Sequence, residues 1–261
     1  GTSITLGTTV GDQMNFGSLT FNSIGAVTIQ EDSSTLLSGT STGASLMLGS
    51  TAGITNNASA NVGITNNASF SGTSITLGTT AGDQMNFGSL TFNSTGAVTI
   101  EEDSDMNIAG TNTGGTTNLS STGGISDSSN SSIDVGALTL NGTSIHLGAG
   151  ASNTFNATTL NFNSAGAVDI AEDSDMDIVG ANTAGSATLS STGALSDAGA
   201  TSLDITGLGN FSGASISLGG GTFNTGTLTF NSTGAVNIAE DSAMDIVGAN
   251  TAGSATLSST G

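Results

Sequence analysis

One block of sequence occurs four times along this chain of 261 residues. It opens with GTSITL at residues 1–6 and again at 72–77, with GTSIHL at 142–147 and with GASISL at 213–218. The starting positions 1, 72, 142 and 213 give a nearly constant period of roughly 70 residues. Self-similarity at a fixed period is typical of repeat architectures, in which each unit packs on its neighbours, and not of a globular domain.

Within each block, apolar residues come in pairs separated by one polar residue. Examples are Val98 and Ile100, Met106 and Ile108, and the pair that ends at Leu147. An apolar period of two predicts short strands with one buried face. Gly, Ser, Asn and Asp follow most pairs and favour turns, and no stretch has the apolar spacing of a helix. The sequence therefore predicts an all-β protein with almost no helix.

The spacing of the strands predicts a coil. In the second block, nine strands are expected to begin near Leu90, Val98, Met106, Thr117, Ile125, Ile133, Leu138, Ile145 and Thr154. The next block restarts at Leu160, which leaves roughly eight residues for each strand and its turn. We predict a right-handed parallel β-helix, or β-solenoid, with three strands and about 23 residues per coil and about eleven coils. The handedness follows from the general preference for right-handed crossovers.

We expect one continuous solenoid over residues 1–261. Its sequence blocks are 1–71, 72–141, 142–212 and the partial block 213–261, each of about three coils by this spacing. With about 4.8 Å between strands, the chain would extend roughly 50 Å. Both ends lie inside the repeat, so we interpret the chain as a slice of a longer protein. Its expected partners are other copies of itself or further covalent repeats, joined end to end.

The composition excludes several functions. The chain has no Lys, Arg, Pro, Cys, Trp or Tyr, and 20 Asp and Glu residues give a net charge of −20. Phosphate binding depends on Lys and Arg, so we expect no nucleic-acid partner. No run of about 18 apolar residues exists, so we expect no membrane insertion. The absence of cysteine excludes disulfides and thiolate metal sites, and the absence of trypsin sites suits an extracellular or cell-surface location.

An acidic segment follows the Val-x-Ile strand of every block, and we call it the acidic corner: residues 30–33, 101–105, 172–175 and 240–242. Clustered carboxylates can bind calcium, which prefers six to eight oxygen ligands. The candidate ligands are Glu102, Asp103, Asp105, Glu172, Asp173 and Asp175. We expect that the protein requires no cofactor, although these carboxylates make calcium binding possible. The alternative is a solvated acidic turn that keeps the protein soluble.

The remaining polar residues do not indicate a functional site. His146 lies between two apolar residues and should point outward, and its counterparts Thr5, Thr76 and Ser217 are small and polar. Carboxylate pairs at the acidic corners could in principle hydrolyse glycosides, but the chain lacks Trp and Tyr to hold a sugar, and we expect no enzyme.

A recurring asparagine follows each Leu-x-Phe strand and could form an amide ladder; its positions are Asn22, Asn93, Asn163 and Asn231.

The Gly-x-Val-x-Ile and Gly-x-Leu-x-Leu cadence of residues 25–29, 96–100 and 136–140 resembles the repeat region of large bacterial surface proteins. These are the filamentous-haemagglutinin-type exoproteins and other β-strand-repeat adhesins. The resemblance implies secretion, a right-handed β-helical stalk, and adhesion or matrix building.

We therefore expect a structural segment of a long extracellular fibre built from stacked β-helical repeats. Two alternatives remain open. The chain could be the stalk of a surface adhesin whose binding tip lies outside this fragment, or a calcium-stabilised solenoid.

Overall fold

The computed structural model describes all residues from 1 to 261. It contains 27 β-strands and no helix, hence no helical segment with the length and apolarity needed to span a bilayer. In chain order, the strands are β1 (Ile4–Leu6), β2 (Ala26–Glu31), β3 (Thr35–Leu37), β4 (Thr40–Gly43), β5 (Ser45–Ser50), β6 (Gly53–Asn56), β7 (Asn61–Gly72), β8 (Ser74–Leu77), β9 (Gln84–Ser94), β10 (Val98–Glu102), β11 (Met106–Ile108), β12 (Thr111–Gly114), β13 (Thr117–Ser121), β14 (Ile125–Asp127), β15 (Ser132–Asn141), β16 (Ile145–Leu147), β17 (Thr154–Asn163), β18 (Ala167–Glu172), β19 (Met176–Ile178), β20 (Ala181–Ala184), β21 (Ser186–Ser191), β22 (Ala194–Asp197), β23 (Ser202–Gly213), β24 (Ser215–Leu218), β25 (Thr222–Ser232), β26 (Ala235–Glu240) and β27 (Ser254–Ser259).

The chain divides into two compact units, Gly1–Val135 and Gly136–Gly261. In each unit the strands pair in parallel with strands one turn away, which confirms the predicted parallel β-solenoid, and the chain makes about 12 turns. One column of paired residues in the first unit runs through Ile4, Val27, Leu46, Ala68, Leu90, Ile108 and Asp127. A column in the second unit runs through Ile145, Val168, Ala187, Gly209, Leu228 and Ile246.

The turns are shorter on average than the strand spacing in the sequence predicts. The first column advances from Ile4 to Asp127 in six turns, and the second advances from Ile145 to Ile246 in five. Both advances correspond to about 20 residues per turn of the stack. In the first column, the shortest turn runs from Leu90 to Ile108 and the longest from Ile4 to Val27. The three-strand turn from Val98 to Thr117 is itself shorter than the expected turn, so a strand with its connection takes fewer residues than the spacing of the apolar pairs indicates.

One sequence block is therefore not a whole number of turns. Ile4 and Ile75 are equivalent in sequence, yet Ile75 pairs with Ile54 and Val98 in a column separate from that of Ile4. In the second unit, Ile216 likewise pairs with Leu195 and Val236, outside the column of its equivalent Ile145. Each block makes three turns and a fraction, so equivalent residues of successive blocks within a unit occupy different faces.

The number of strands per turn also varies. The turn of β10, β11 and β12 has the expected three strands before β13 pairs with β10. The preceding turn has two, because the long strand β9 passes through a corner without interruption. Two strands expected to begin at Ile133 and Leu138 are likewise one strand, β15. The strand β12 was not predicted, because its sequence TNTG contains no apolar pair.

Inward-facing apolar side chains fill the interior of each unit. Six phenylalanines are among the largest fully buried side chains, namely Phe70, Phe92, Phe155, Phe162, Phe211 and Phe223. Aromatic rings of adjacent turns pack edge to face or tilted, with 5.5 Å between the centroids of Phe70 and Phe87 and 5.8 Å between those of Phe211 and Phe223. Such pairs add to the free energy of burial. The core is thus a stack of layers that each neighbouring turn completes.

Candidate functional site: the acidic corners

The glutamate of each acidic corner is buried. The exposed fraction of the side chain is 2% for Glu31, Glu102 and Glu172 and 1% for Glu240. The solvated acidic turn therefore does not describe these glutamates, although the aspartates that follow them are exposed. The alternation of the strand contains the signal for burial, because Val98, Ile100 and Glu102 fall on the same face of β10.

Each buried glutamate binds the backbone of the preceding turn. Its Oε1 accepts a hydrogen bond from a backbone N–H that lies earlier in the chain by the same interval at every corner. The pairs are Phe16 to Glu31 at 2.8 Å, Phe87 to Glu102 at 2.8 Å, Ala157 to Glu172 at 2.9 Å and Thr225 to Glu240 at 3.1 Å. The serine at the second position after each glutamate donates another hydrogen bond to the same oxygen. One carboxylate oxygen is thus fully engaged at every corner.

The residue after each glutamate is an aspartate, which binds the same segment at the backbone amide two residues before the one that the glutamate binds. Asp103 Oδ2 accepts the N–H of Met85 at 2.8 Å, and Asp32, Asp173 and Asp241 make the equivalent bond at 2.9–3.0 Å. The reason lies in the short turn that follows β9. With the strands of the next turn, β9 pairs only at Leu90 and Asn93. The backbone N–H groups of residues 85 and 87 therefore have no partner strand on that side. The Glu–Asp pair replaces the missing strand with side-chain oxygens, because buried N–H groups need acceptors.

The second glutamate oxygen distinguishes the first block from the others. Thr35 Oγ1 donates a hydrogen bond of 2.6 Å to Oε2 of Glu31. Methionine takes the position of this threonine in the later blocks, at Met106, Met176 and Met244. Methionine has no hydroxyl to donate, and Oε2 of the following three glutamates is buried without a hydrogen-bond partner: Glu102, Glu172 and Glu240.

Burial raises the pKa of Glu102 and that of Glu172 to about 7, from an ordinary value of 4.5. Desolvation is the largest cause, because it penalises the charged form. The amide and serine hydrogen bonds oppose it, and the neighbouring aspartates add to it. Both carboxyls therefore titrate near neutral pH, far above an exposed glutamate.

The six candidate calcium ligands lie in two corners, Glu102 with Asp103 and Asp105, and their equivalents 172, 173 and 175. Asp105 Oδ1 accepts a hydrogen bond from the N–H of Gly124 at 2.8 Å. In the other corner, Asp175 Oδ1 accepts one from the N–H of Ala194, also at 2.8 Å. The carboxylates thus aim at different backbone amides, and no group of three His, Asp or Glu residues is arranged to hold a metal ion. We identify none of the six as a metal ligand, and calcium binding stays a sequence-based prediction.

A second set of side chains that bind the backbone was not expected from the sequence. Asn112 is fully buried; its Oδ1 accepts the N–H of Phe92 at 2.9 Å, and its Nδ2 lies within 3.3 Å of three backbone carbonyl oxygens. Oδ1 of Asn182 likewise accepts the N–H of Phe162, and Oδ1 of Asn250 accepts that of Phe230. The recurrence of a small polar residue at positions 41, 112, 182 and 250 is the only signal in the sequence.

The other singled-out polar residues lie on the outer surface. Asn22, Asn93, Asn163 and Asn231 form no amide ladder; each Oδ1 accepts a hydrogen bond from a threonine hydroxyl one turn later. His146 is exposed and lies in register with Asp169 of β18. None of these groups converges with the acidic corners.

The surface depressions of each unit are open and are lined mainly by small residues. In the first unit one contains Ser71, Gly72, Thr73, Ser94 and Thr95. In the second unit a similar depression contains small side chains between residues 164 and 206, together with Asp204. Neither brings together an acid, a base and a nucleophile.

The chain matches no protein-family model, no curated protein and no solved structure. Nothing in these comparisons indicates a filamentous-haemagglutinin-type protein. The functional assignment therefore depends on the geometry of the solenoid, in which carboxylates and amides at the corners complete the backbone hydrogen bonding.

Proposed function

We propose that this chain is a structural segment of a long extracellular fibre built from stacked β-helical repeats. The observation that carries the proposal is the way its polar groups are used. The buried glutamates and asparagines bind backbone amides of neighbouring turns, and apolar side chains fill the interior. A molecule organised in this way gains stability from each added turn.

The composition supports an extracellular location. A chain without Lys or Arg offers no site to trypsin-like proteases, and its net charge of −20 opposes aggregation. Both properties are useful to a repeat protein that is exposed outside the cell.

Lengthening the chain tests the structural role. A variant with residues 72–212 duplicated gains two sequence blocks, or about seven turns at the observed turn length. We expect small-angle scattering and electron microscopy to show an increase of roughly 30 Å in length at constant cross-section. A particle that grows in width, or that loses its parallel β signature, would contradict the proposal.

Labelling of intact source cells tests the location. Antibodies against the chain should stain intact and permeabilised cells equally, and electron microscopy should place the label along filaments. Label found only after permeabilisation would contradict an extracellular fibre. If removal of sequence outside residues 1–261 abolishes adhesion while the filaments persist, the chain would be the stalk of an adhesin.

A further inference from the structure

We propose that Glu102 and Glu172 are proton-operated clamps: the protonated carboxyl closes its acidic corner, and ionisation loosens the corner from the strand of the preceding turn. The clamp is a property of the folded solenoid and does not depend on the fibre role proposed above.

The geometry that supports this inference is an asymmetric carboxyl environment. Oε1 of Glu102 has two donors, the N–H of Phe87 and the hydroxyl of Ser104, while Oε2 is buried with none. Glu172 has the same arrangement with Ala157 and Ser174. A neutral carboxyl costs less than a carboxylate here, because Oε1 can act as the carbonyl acceptor and only an uncharged O–H at Oε2 is left without a partner. A carboxylate would leave charge on an oxygen with no donor, which is costly in a buried site.

The first block contains a natural comparison. There the hydroxyl of Thr35 donates to Oε2 of Glu31, so both oxygens of that carboxyl have donors. The substitution of this threonine by Met106 and Met176 in the next two blocks removes the donor. Met244 replaces it in the fourth block as well, so the glutamate oxygen without a donor is a feature of the later blocks and not of the first.

The charges around each clamp favour the neutral form. Glu101, Asp103 and Asp105 flank Glu102, and β8, β9, β11 and β13 contribute no titratable side chain. Around Glu172 the neighbours Asp173, Asp175 and Asp177 are all acidic. β16 contributes His146, which lies in register with Asp169 on the outer face, and β17 and β21 contribute no titratable group. No Lys or Arg exists to balance the charge.

The sign of the pH effect follows from the proton affinities of the two states. The closed corner binds the proton with a pKa of about 7, and an opened corner exposes a carboxyl whose ordinary value is 4.5. Between these values the closed state holds more protons, so closure weakens as the pH rises towards 7. Below 4.5 the clamp contributes fully, and above 7 its contribution is lost.

Hydrogen exchange in the presence of a chelator tests the clamp directly. The readout is the protection factor of the Phe87 and Ala157 amides, corrected for the intrinsic exchange rate at each pH. We expect protection to fall about tenfold or more between pH 5.5 and pH 8 in the wild-type chain. The Phe16 amide, whose acceptor Glu31 has the Thr35 hydroxyl, should change much less. Equal behaviour of all three amides would overturn the proposal.

Two variants separate the clamp from general charge effects. Glu102→Gln with Glu172→Gln keeps an acceptor and removes the titration, so protection should become independent of pH. Glu101→Gln removes one charge from the exposed neighbouring residue and should leave the pH dependence intact. If the Glu101 variant flattens the profile as much as the double variant, the effect is general repulsion and the clamp is refuted.

Met106→Thr with Met176→Thr restores the donor found in the first block. We expect this variant to retain protection at pH 8, since the added hydroxyls can bind the ionised oxygens. Carbon-13 titration of the glutamate carboxyls in the wild-type chain provides a check that needs no variant. Two glutamate resonances, assigned to Glu102 and Glu172, should titrate near pH 7, and titration of both below pH 5.5 would overturn the proposal.

Discussion

At the scale of single residues, the most informative positions are those where the side chain does not follow its usual preference. Four glutamates lie inside the solenoid because the strand alternation places them there and because unpaired amides of the preceding turn need acceptors. The alternation could have predicted the burial of Glu102. The unpaired amides could not be predicted, because they arise from a turn that is shorter than its predecessor.

A glycine provides a second residue-scale constraint. Gly78 follows the strand β8 with φ of +79°, and a Cβ at this position would clash with the carbonyl oxygen of Glu101 in the next turn. Its equivalents Gly7, Gly148 and Gly219 also have positive φ. These glycines are required because the chain bends sharply where two turns are in direct backbone contact.

We predict that Gly78→Ala lowers the free energy of unfolding by at least about 2 kcal/mol, because both the positive φ and the backbone contact oppose a side chain. Gly63→Ala is the matched control. Gly63 lies in β7, and no atom lies within 4 Å of a Cβ built there. Its stability should be unchanged or raised by up to about 1 kcal/mol. Urea denaturation measures the free energy of unfolding of both variants. Equal losses of stability would show that the positive φ and the backbone contact of Gly78 do not determine the cost of a side chain there.

At the scale of strands, much of the fold could be predicted, and the failures have a common cause. The apolar pairs locate β10, β11, β13, β14, β16 and β17 at or next to the expected starting residues. The prediction missed β12 and split β15, and its strand starts at Leu90 and Leu160 lie inside the longer strands β9 and β17. Neither a small polar strand nor a strand that continues through a corner can be recognised from the spacing of apolar residues. Strand identity is encoded locally, whereas turn length depends on how one turn rests on the previous one.

Asn112 holds β12 in place, and its removal should be costly. We predict that Asn112→Ala lowers the free energy of unfolding by about 2–3 kcal/mol, since the buried N–H of Phe92 loses its acceptor. Asn112→Ser copies Ser41, which accepts the N–H of Phe21 at 3.2 Å in the first block, and should lose less. Thermal and urea unfolding of the two variants give the comparison. If the serine variant is as unstable as the alanine variant, the hydrogen bonds that Asn112 Nδ2 donates contribute more to stability than the one that Oδ1 accepts.

At the scale of the whole molecule, the fractional number of turns per block distributes equivalent residues around the solenoid. In the first unit Glu31 pairs with Ser50 in one column, and Glu102 pairs with Ser121 in another. The acidic corners of these two blocks therefore do not form a single row. This arrangement could not be predicted from the period of the sequence blocks alone, because the period fixes the order of strands but not the length of a turn.

The charge of the chain leads to a prediction about salt. With 20 acidic side chains and no Lys or Arg, repulsion between carboxylates is almost unopposed in the folded protein. Raising NaCl from about 20 mM to about 500 mM shortens the screening length from roughly 20 Å to roughly 4 Å. We expect the melting midpoint at pH 8 to rise by several degrees. At pH 4 many carboxyls are protonated, and the same change in salt should have a smaller effect. A melting midpoint that falls with added salt would contradict this prediction, because it would mean that attraction between charges outweighs the repulsion between carboxylates.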